Sequence, residues 1–258
     1  MRKSTRKGKP AASFFALISD IHANIDALEA VLADIEQWPC RGILCLGDIV
    51  GYGPEPAACV QRVMDTCAVS VFGNHEAMLF LADQFPPEEL GATVGDPITL
   101  AFEQVSEDQM KWLRGLPISA DLDPMILSHA ALNDIGSFHY IHDEDEAKAH
   151  FAVQTTFVSF QGHTHVPVIW EEKRDGRVAC FNPLDKPVHL DEYDRYAINV
   201  GSVGQPRDDD PRACYALYDY QNRLLLHRRV EYDIARAQAR FKKSNLPARN
   251  ASRLKKGQ

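Results

Sequence analysis

The chain has 258 residues, of which 45% are hydrophobic and 25% are charged, and it carries a formal net charge of −8 at pH 7. This length and composition are typical of one soluble globular unit and exclude a low-complexity or disordered chain. No stretch of the sequence approaches the roughly 20 consecutive apolar residues that a membrane-spanning helix needs, so we expect no membrane partner.

Five short apolar runs in the first part of the chain predict buried strands, because each is rich in β-branched or aromatic residues. Apolar residues recur near helical spacing between the first three runs, over 24–38 and 55–67. This alternation predicts βαβ units and a mainly parallel sheet. The five predicted strands are 14–19, 43–46, 69–72, 125–128 and 156–160.

The middle of the chain predicts short helices over 98–102 and 108–113, whereas 83–97 is rich in Pro, Gly and acids and predicts a loop or cap. The second half is different, because short apolar or alternating runs are separated by turn residues. We therefore predict a second sheet packed on the first, with helices outside, in an α/β fold. Its predicted strands are 166–170, 177–181, 195–200, 213–219 and 224–231.

Positive charge is concentrated at the two ends of the chain. Residues 1–10 carry a formal charge of +5 and residues 234–258 carry +8, which leaves −21 on the body between them. We predict a disordered basic tail over 1–11, a single domain over 12–258, and a C-terminal helix packed on that domain. The basic tail lacks interleaved aromatic residues, so nucleic acid is not an expected partner.

The cysteines are scattered and include no Cys-x-x-Cys pair. A disulfide framework is typical of much shorter secreted chains, so we predict free thiols and a cytoplasmic location. The six residues are Cys40, Cys45, Cys59, Cys67, Cys180 and Cys214.

Polar residues that can bind metal ions follow each of the first five predicted strands. Loops at the strand ends of an open α/β sheet meet at one edge, so we expect these residues to lie together. They supply two Asp, one Asn and four His as ligands, plus one spare imidazole, enough for a two-metal hydrolytic site. The segments are Ser19-Asp20-Ile21-His22, Gly47-Asp48, Gly73-Asn74-His75-Glu76, Ser128-His129 and Gly162-His163-Thr164-His165.

The ligand types favour two cations that share one carboxylate. Asp20, His22 and Asp48 could surround the first cation with one imidazole of the pair His163 and His165. The second cation would then take the other imidazole with Asn74 and His129, and Asp48 would bridge the two ions. The ligand softness admits Mn²⁺, Fe, Ni²⁺ or Zn²⁺, of which we expect Mn²⁺ first.

The order of these segments resembles the calcineurin-like metallophosphoesterase superfamily, over about residues 14–231. The resemblance implies a four-layer α/β/β/α sandwich with a dinuclear metal site at the strand ends. It also implies that His75 donates to the transition-state phosphoryl oxygen or the leaving group. The ligand sets it implies are Asp20, His22, Asp48 and His165 for the first metal, and Asp48, Asn74, His129 and His163 for the second.

Two longer segments, 47–54 and 199–207, are similar to the small bacterial and archaeal phosphodiesterase branch typified by the YfcE-like proteins. Protein serine/threonine phosphatases of the superfamily usually carry Asp-Arg-Gly shortly after Gly-Asp, and here that stretch is Ile49-Val50-Gly51-Tyr52-Gly53. We therefore predict a phosphodiesterase acting on a small phosphoester, with a nucleotide as one option. The alternatives are a serine/threonine protein phosphatase, another phosphomonoesterase, or a non-catalytic metal-binding scaffold.

Substrate contacts are predicted at three residues. Arg207 is the arginine available to hold the substrate phosphate, and Asn74 and Tyr140 are the other two. Tyr140 belongs to a loop, 139–142, that either touches substrate or is plain surface. Gly201 and Ser202 either form a tight turn or offer a backbone contact beside the metals.

Three further histidines are predicted to be structural, because a lone His near an apolar run is usually a satisfied core or surface residue. They are His150, His189 and His227. The oligomeric state is not predicted.

Overall fold

A computed structural model of the chain describes residues 13–81, 84–182 and 186–258. These residues form two six-stranded sheets with helices outside them. The basic tail predicted over 1–11 lies outside the described residues. Within the described ranges, no helix combines the length and the apolar character that crossing a bilayer requires.

The strands divide between the sheets in an order that differs from their order in the chain. The first sheet runs β3-β2-β1-β11-β12-β9 and the second runs β4-β5-β6-β10-β7-β8. The strands are β1 (Phe14–Ile18), β2 (Cys40–Cys45), β3 (Cys67–Ser70), β4 (Ser119–Asp121), β5 (Met125–Ser128), β6 (Val158–Gln161), β7 (Val168–Glu172), β8 (Val178–Phe181), β9 (Val188–His189), β10 (Arg195–Asn199), β11 (Ala213–Asp219) and β12 (Leu224–Val230).

The helices lie on the outer faces of the sheets, and the last two form the C-terminal end of the chain. They are α1 (Ile25–Ile35), α2 (Pro56–Thr66), α3 (Asn74–Phe80), α4 (Ala92–Gln104), α5 (Glu107–Arg114), α6 (Glu144–Val153), α7 (Ile234–Ser244) and α8 (Ala248–Leu254).

The ten strands predicted from the sequence are all present, with ends within three residues of the prediction. Their division between sheets was predicted wrongly. The first three predicted strands share a sheet with β11 and β12, whereas β5 and β6 lie in the other sheet. The physical reason is that β11 returns to pair antiparallel with β1 and occupies the edge that β5 would otherwise need. The ligand loops therefore come from the ends of two sheets.

Residues 92–97, predicted as part of a loop or cap, belong to helix α4, which contains Pro97. Pro97 has no N–H to donate, so it leaves the carbonyl of Thr93 without its usual helical partner. The side chain of Asn250 in α8 donates to that carbonyl at 2.9 Å. A distant residue thus compensates for the proline, which the local sequence could not indicate.

Four short elements were not predicted: β4, β9, α3 and α6. Helix α6 does have a local signal, because Asp143 and Glu146 form a capping box at its start. Helix α3 begins at Asn74, inside a segment that the sequence indicates only as a metal-binding motif.

The core has separate apolar layers on each side of the sheets. In β1, Ala16 and Ile18 pack against the helices, whereas Leu17 faces the layer between the two sheets, as the two-residue period of a strand requires. On the outside of the second sheet, Phe151 of α6 packs against Trp170 of β7. The four-layer α/β/β/α architecture is therefore confirmed.

The basic C-terminal segment is helical and packed on the domain, as predicted. Arg236 and Arg240 of α7 donate to the buried carboxylate of Asp26 in α1, at 2.7 and 2.9 Å. Part of the positive charge of this segment thus compensates the acidic body.

Candidate metal centre

The predicted ligands come together where five loops leave the ends of β1, β2, β3, β5 and β6. Three overlapping groups of side chains each bring their ligand atoms within 4.8 Å of one another. Each group combines at least one carboxylate with imidazoles, and each is buried. The groups are Asp20, His22 and His165; His22, Asp48 and His75; and Asp48, His129 and His163.

Five of these residues have left-handed backbone conformations, which L-residues adopt at a cost of about 1 to 2 kcal/mol each. Hydrogen bonds between neighbouring loops hold them: Asp20 N–H donates to Gly47 O at 3.1 Å, and His22 N–H to Asp48 O at 3.0 Å. Such strain is concentrated at functional sites. The φ angles are 53° at Asp20, 47° at His22, 52° at Asp48, 67° at His163 and 61° at His165.

Two glycines allow the loops that carry the predicted ligands to approach closely. A Cβ at Gly162 would collide with the side chains of Ser19 and Asp20, and a Cβ at Gly73 would collide with Asp48. Larger residues at either position would push the loops of different strands apart.

The Asp48 carboxylate occupies the middle of the cluster. Its Oδ2 lies 3.3 Å from His129 Nε2, 3.7 Å from His22 Nε2 and 3.9 Å from His75 Nε2. Its Oδ1 accepts the backbone N–H of His75 at 2.9 Å. One oxygen is therefore fixed by the protein, and the other faces the imidazoles.

Asp20 has the corresponding place on the other side of the cluster. Its Oδ1 lies 3.3 Å from His165 Nε2 and 3.8 Å from His22 Nε2. Its Oδ2 accepts the backbone N–H of His163 at 3.0 Å. Asn74 contributes its carbonyl oxygen, which lies 3.0 Å from His129 Nε2.

The imidazoles are oriented by backbone carbonyls behind them. The Nδ1 atoms of His22, His129 and His165 lie 3.1, 2.8 and 2.6 Å from the carbonyl oxygens of Val50, Leu46 and Gln205. Nδ1 must donate in such a contact, which makes Nε2 the nitrogen that points into the cluster with a lone pair in the neutral ring.

The inward-pointing nitrogens face each other at short distances. His22 Nε2 lies 3.1 Å from His165 Nε2, and His129 Nε2 lies 3.2 Å from His163 Nδ1. Two lone pairs repel at such distances unless a cation or a proton lies between them. The donor set therefore fits divalent metal ions on chemical grounds.

The charges of the cluster also favour bound cations. Burial opposes ionisation of Asp20 and Asp48, yet the charges of His165 and His129 respectively hold the pKa of each carboxyl below its usual range. Burial opposes protonation of His129, but the charge of Asp48 raises its pKa to about 9. Burial, followed by the charge of His75, holds the pKa of His22 well below its usual range. The two carboxylates thus attract positive charge to a buried place.

Comparison with known proteins assigns the family. Residues 14–223 match the family model of the calcineurin-like phosphoesterase superfamily domain. The chain belongs to this superfamily. It is therefore a member of a family of metal-dependent phosphoester hydrolases, as the motifs predict.

This chain is similar in sequence to two relatives over nearly its full length. It is 34% identical over 253 residues to an uncharacterized protein of Methanocaldococcus jannaschii, with 94% of this chain and 97% of that one covered. It is 35% identical to a metallophosphoesterase from Sphaerobacter thermophilus of known crystal structure, with a TM-score of 0.83 and coverage of 96% and 100%. A hypothetical protein from Pyrococcus horikoshii, 18% identical with a TM-score of 0.75 and coverage of 95% and 98%, shares the fold.

His75 lies beside the predicted ligands, and its role stays a prediction. Its Nδ1 is buried and has no hydrogen-bond partner among the described residues. Burial is the main cause that lowers the pKa of His75 to about 4, so the imidazole is neutral near neutral pH. Its ligand-like distance from Asp48 makes metal analysis of a variant necessary to separate a ligand from a proton donor.

The structure assigns a positioning role to Glu76 that sequence reasoning missed. Its Oε1 accepts the N–H groups of Ile49 and Val50 at 2.8 and 3.2 Å, and its Oε2 accepts those of Asp48 and Gly73, both at 2.9 Å. Burial and the charge of Asp48 raise the pKa of Glu76 to about 7. Four N–H donors nevertheless favour the carboxylate, because an ionised carboxyl accepts on both oxygens.

The predicted substrate contacts lie around the open side of the cluster. Tyr140 is 41% exposed and stacks on His163, with ring centroids 4.0 Å apart. The guanidinium of Arg207 lies 5.5 Å from the ring centroid of Tyr52. Sequence reasoning missed Tyr52, whose ring lies 4.7 Å from those of both His22 and His75. Nothing in the local sequence marks this tyrosine as part of a site.

The three histidines predicted to be structural lie in the interior or at the surface, and the turn at Gly201 and Ser202 contacts a loop that carries a predicted ligand. His150 is buried and bonded to Ser159 at 2.8 Å, and His227 is buried and bonded to the carbonyl of Asn199 at 2.8 Å. His189 is exposed in β9. The hydroxyl of Ser202 donates to the carbonyl of Asp20 at 2.8 Å, so this turn supports a ligand loop from behind.

Proposed function

We propose that this chain is a metal-dependent phosphodiesterase with a dinuclear centre. The first cation would be held by Asp20, His22, Asp48 and His165. The second would be held by Asp48, Asn74, His129 and His163, so that Asp48 bridges the two.

The observation that carries this proposal is the pair of short contacts between inward-pointing imidazole nitrogens. Such contacts need a cation or a proton between the two nitrogens, and two such pairs on either side of Asp48 favour two cations. The carbonyl bonds at Nδ1 of His22, His129 and His165 fix these rings with Nε2 facing the cluster.

When bound, two divalent ions at such a centre lower the pKa of a shared water and stabilise the charge on the phosphoryl oxygens. The residues of the chain then have separate tasks. Asn74 orients the phosphate, and the neutral imidazole of His75 donates a hydrogen bond from its N–H group to a phosphoryl oxygen or to the leaving group. Tyr140 and Arg207 border the phosphate from the solvent side.

The segment after Asp48 favours a diester over a phosphoprotein as the substrate. The stretch 49–53 that follows Asp48 contains no arginine, unlike the corresponding stretch of the protein phosphatases, so it offers no positive charge to a phosphomonoester dianion. The likeness of 47–54 and 199–207 to the small phosphodiesterase branch supports the same choice. A nucleotide is one substrate of this class.

The proposed metal is Mn²⁺, with Fe, Ni²⁺ and Zn²⁺ as alternatives that the same ligands accept. The six cysteines are free thiols, which agrees with the predicted cytoplasmic location, and that location stays a prediction.

The experiment is a substrate panel on metal-stripped protein reloaded with Mn²⁺, Ni²⁺ or Mg²⁺. The panel contains bis(p-nitrophenyl) phosphate, cyclic nucleotides, monoesters and phosphopeptides. We expect Mn²⁺-dependent turnover of diesters at least equal to that of phosphopeptides. Two bound metal ions without turnover of any phosphoester would indicate a metal-binding scaffold instead.

A further inference from the structure

His75 is held against the loop between β2 and α2. The carboxylate of Glu76, the next residue of α3, accepts the N–H groups of Ile49 and Val50 at 2.8 and 3.2 Å. Glu76 therefore ties this loop to the start of the helix that carries His75. The next residue of the loop is Gly51, which has a left-handed backbone with a φ angle of 85°, and its Cα lies against the imidazole of His75.

The contact between Gly51 and His75 leaves no room for a further atom. A Cβ at Gly51 would collide with Nδ1 of His75 and would lie 2.9 Å from both Cε1 and Cγ of the same ring. Nδ1 is buried and has no hydrogen-bond partner among the residues that the structure describes. Since a Cβ does not fit between the two residues, a water molecule does not fit there either. The rings of His22 and Tyr52 pack on the imidazole with centroids 4.7 Å away, so its plane is fixed.

The surroundings of this Nδ1 differ from those of three predicted ligands. The Nδ1 atoms of His22, His129 and His165 each have a backbone carbonyl that accepts an N–H, whereas Nδ1 of His75 faces the Cα of a glycine. An N–H at this Nδ1 would be a buried donor without an acceptor, which is unfavourable. A lone pair at the same place meets only carbon-bound hydrogen, which is a weak contact. The proton of the imidazole therefore belongs on Nε2, the nitrogen that faces the cluster.

We infer that Gly51 is a positioning residue that fixes His75 as the tautomer with its proton on Nε2. A metal ligand needs a lone pair at the nitrogen that faces the cation. This tautomer therefore makes His75 a hydrogen-bond donor to the substrate and not a ligand. The inference rests on the proposed function, because it names the atom with which His75 would act on the phosphoester. Only glycine serves at position 51, since every other residue adds the Cβ that collides with the ring.

The first test measures the tautomer by NMR on the full chain, labelled with ¹⁵N-histidine and loaded with Zn²⁺, which is diamagnetic. The ¹⁵N chemical shifts of the ring, and the couplings of its nitrogens to the carbon-bound hydrogens, distinguish a nitrogen that carries a proton from one that does not. The signals of His75 are identified by their absence from the spectrum of His75→Ala. We expect a proton on Nε2 of His75 and none on Nδ1. A proton on Nδ1 would overturn the inference.

The second test compares alanine substitutions at two glycines with nearly the same backbone conformation. The φ angle is 85° at Gly51 and 82° at Gly176, so both variants force alanine into the left-handed region. A Cβ at Gly176, however, meets no atom within 4 Å. Gly51→Ala should keep the metal content but lower kcat for bis(p-nitrophenyl) phosphate roughly 100-fold, because a displacement of the imidazole by about 1 Å has an effect of that size. Gly176→Ala should keep the wild-type kcat.

The double variant Gly51→Ala/His75→Ala shows whether the glycine acts through the imidazole. It should hydrolyse the diester no more slowly than His75→Ala alone, because the added methyl group then has no ring to displace. A further loss in the double variant, an unchanged kcat in folded Gly51→Ala, or an equal loss in Gly176→Ala would overturn the inference. If Gly51→Ala does not fold, the tautomer of the wild type decides. Wild-type protein that has the proton on Nε2 of His75 but hydrolyses no phosphoester would overturn the proposed function and leave the role of Gly51 standing.

Discussion

The carboxylate of Glu76 accepts the backbone N–H of Asp48 at 2.9 Å, so one acidic residue fixes the main chain of another in the middle of the metal cluster. Glu76 lies in α3, after β3, and Asp48 lies after β2. The same carboxylate also bonds Gly73, at the start of its own helix. Glu76 therefore couples the two loops that carry Asp48, Asn74 and His75, although it is not one of the expected ligands.

Glu76→Gln should destabilise the protein and loosen metal binding. The amide replaces one accepting oxygen by an NH₂ group that faces backbone N–H donors, which should cost about 2 to 4 kcal/mol in the free energy of unfolding. Urea unfolding and metal analysis measure the two effects. Glu29→Gln is the control, because Glu29 is 46% exposed in its pair with Arg62 and its loss should cost less than about 1 kcal/mol. Equal effects of the two substitutions would contradict the positioning role.

Asp48→Asn should lower the metal content and abolish turnover, because Asp48 is the proposed bridge between the cations. Metal analysis by mass spectrometry and a diesterase assay test this expectation. Asp134→Asn, at a site that is 73% exposed, should change neither. Two ions still bound with an unchanged rate would show that Asp48 does not bridge them.

His75→Ala should keep both metals and the fold but lose roughly 100-fold or more in kcat, the usual scale for a positioned hydrogen-bond donor to the charge of the transition state. The control is His189→Ala, which removes an exposed imidazole from β9. Loss of one metal ion in the His75 variant would instead make His75 a ligand, as its distance from Asp48 permits.

Arg207→Ala should lower kcat/KM for bis(p-nitrophenyl) phosphate only modestly, by about tenfold or about 1.4 kcal/mol, because the metals bind most of the phosphate charge. Arg177→Ala, 79% exposed beside Asp175, is the control of equal charge. If phosphoserine peptides are hydrolysed tenfold faster than the diester, the substrate is a phosphomonoester and the protein-phosphatase alternative is favoured.

Stability should fall as the pH decreases below about 6.5, and His150 should cause part of the loss. Burial lowers the pKa of His150 to about 4, whereas the unfolded chain has the ordinary value near 6.5. Between these values the unfolded state binds more protons than the folded state, so protonation favours unfolding. The contribution of His150 to the loss should reach about 2 kcal/mol at about pH 5. Urea unfolding at about pH 7.5 and about pH 5 measures the difference in the free energy of unfolding between the two pH values. This difference should be smaller in His150→Gln than in the wild type. An equal difference in the two proteins would exclude His150 as a cause.

The sequence allowed most strands to be predicted, and with them the place of each expected ligand, because both signals are local. Asp20 follows the run 14–19 directly, and His163 follows the run 156–160 after two residues. Tyr52 and Glu76 could not be identified as parts of the site, because their role depends on which distant backbone or ring they touch. The start of α4 was missed for a similar reason, since the partner that compensates Pro97 is Asn250 in the last helix.

The pairing of β1 with β11 places Phe14 opposite Asp219 in the first sheet. During synthesis, β1, β2 and β3 leave the ribosome long before β11, so the edge of β1 stays unpaired until almost the whole chain has emerged. Contacts between residues so far apart in sequence make folding slow, and an open strand edge invites aggregation. We therefore expect fragments that end before residue 213 to aggregate rather than fold. Metal uptake should then be a late step in the maturation of this protein, because its ligand loops are fixed only after the central strand pair has closed.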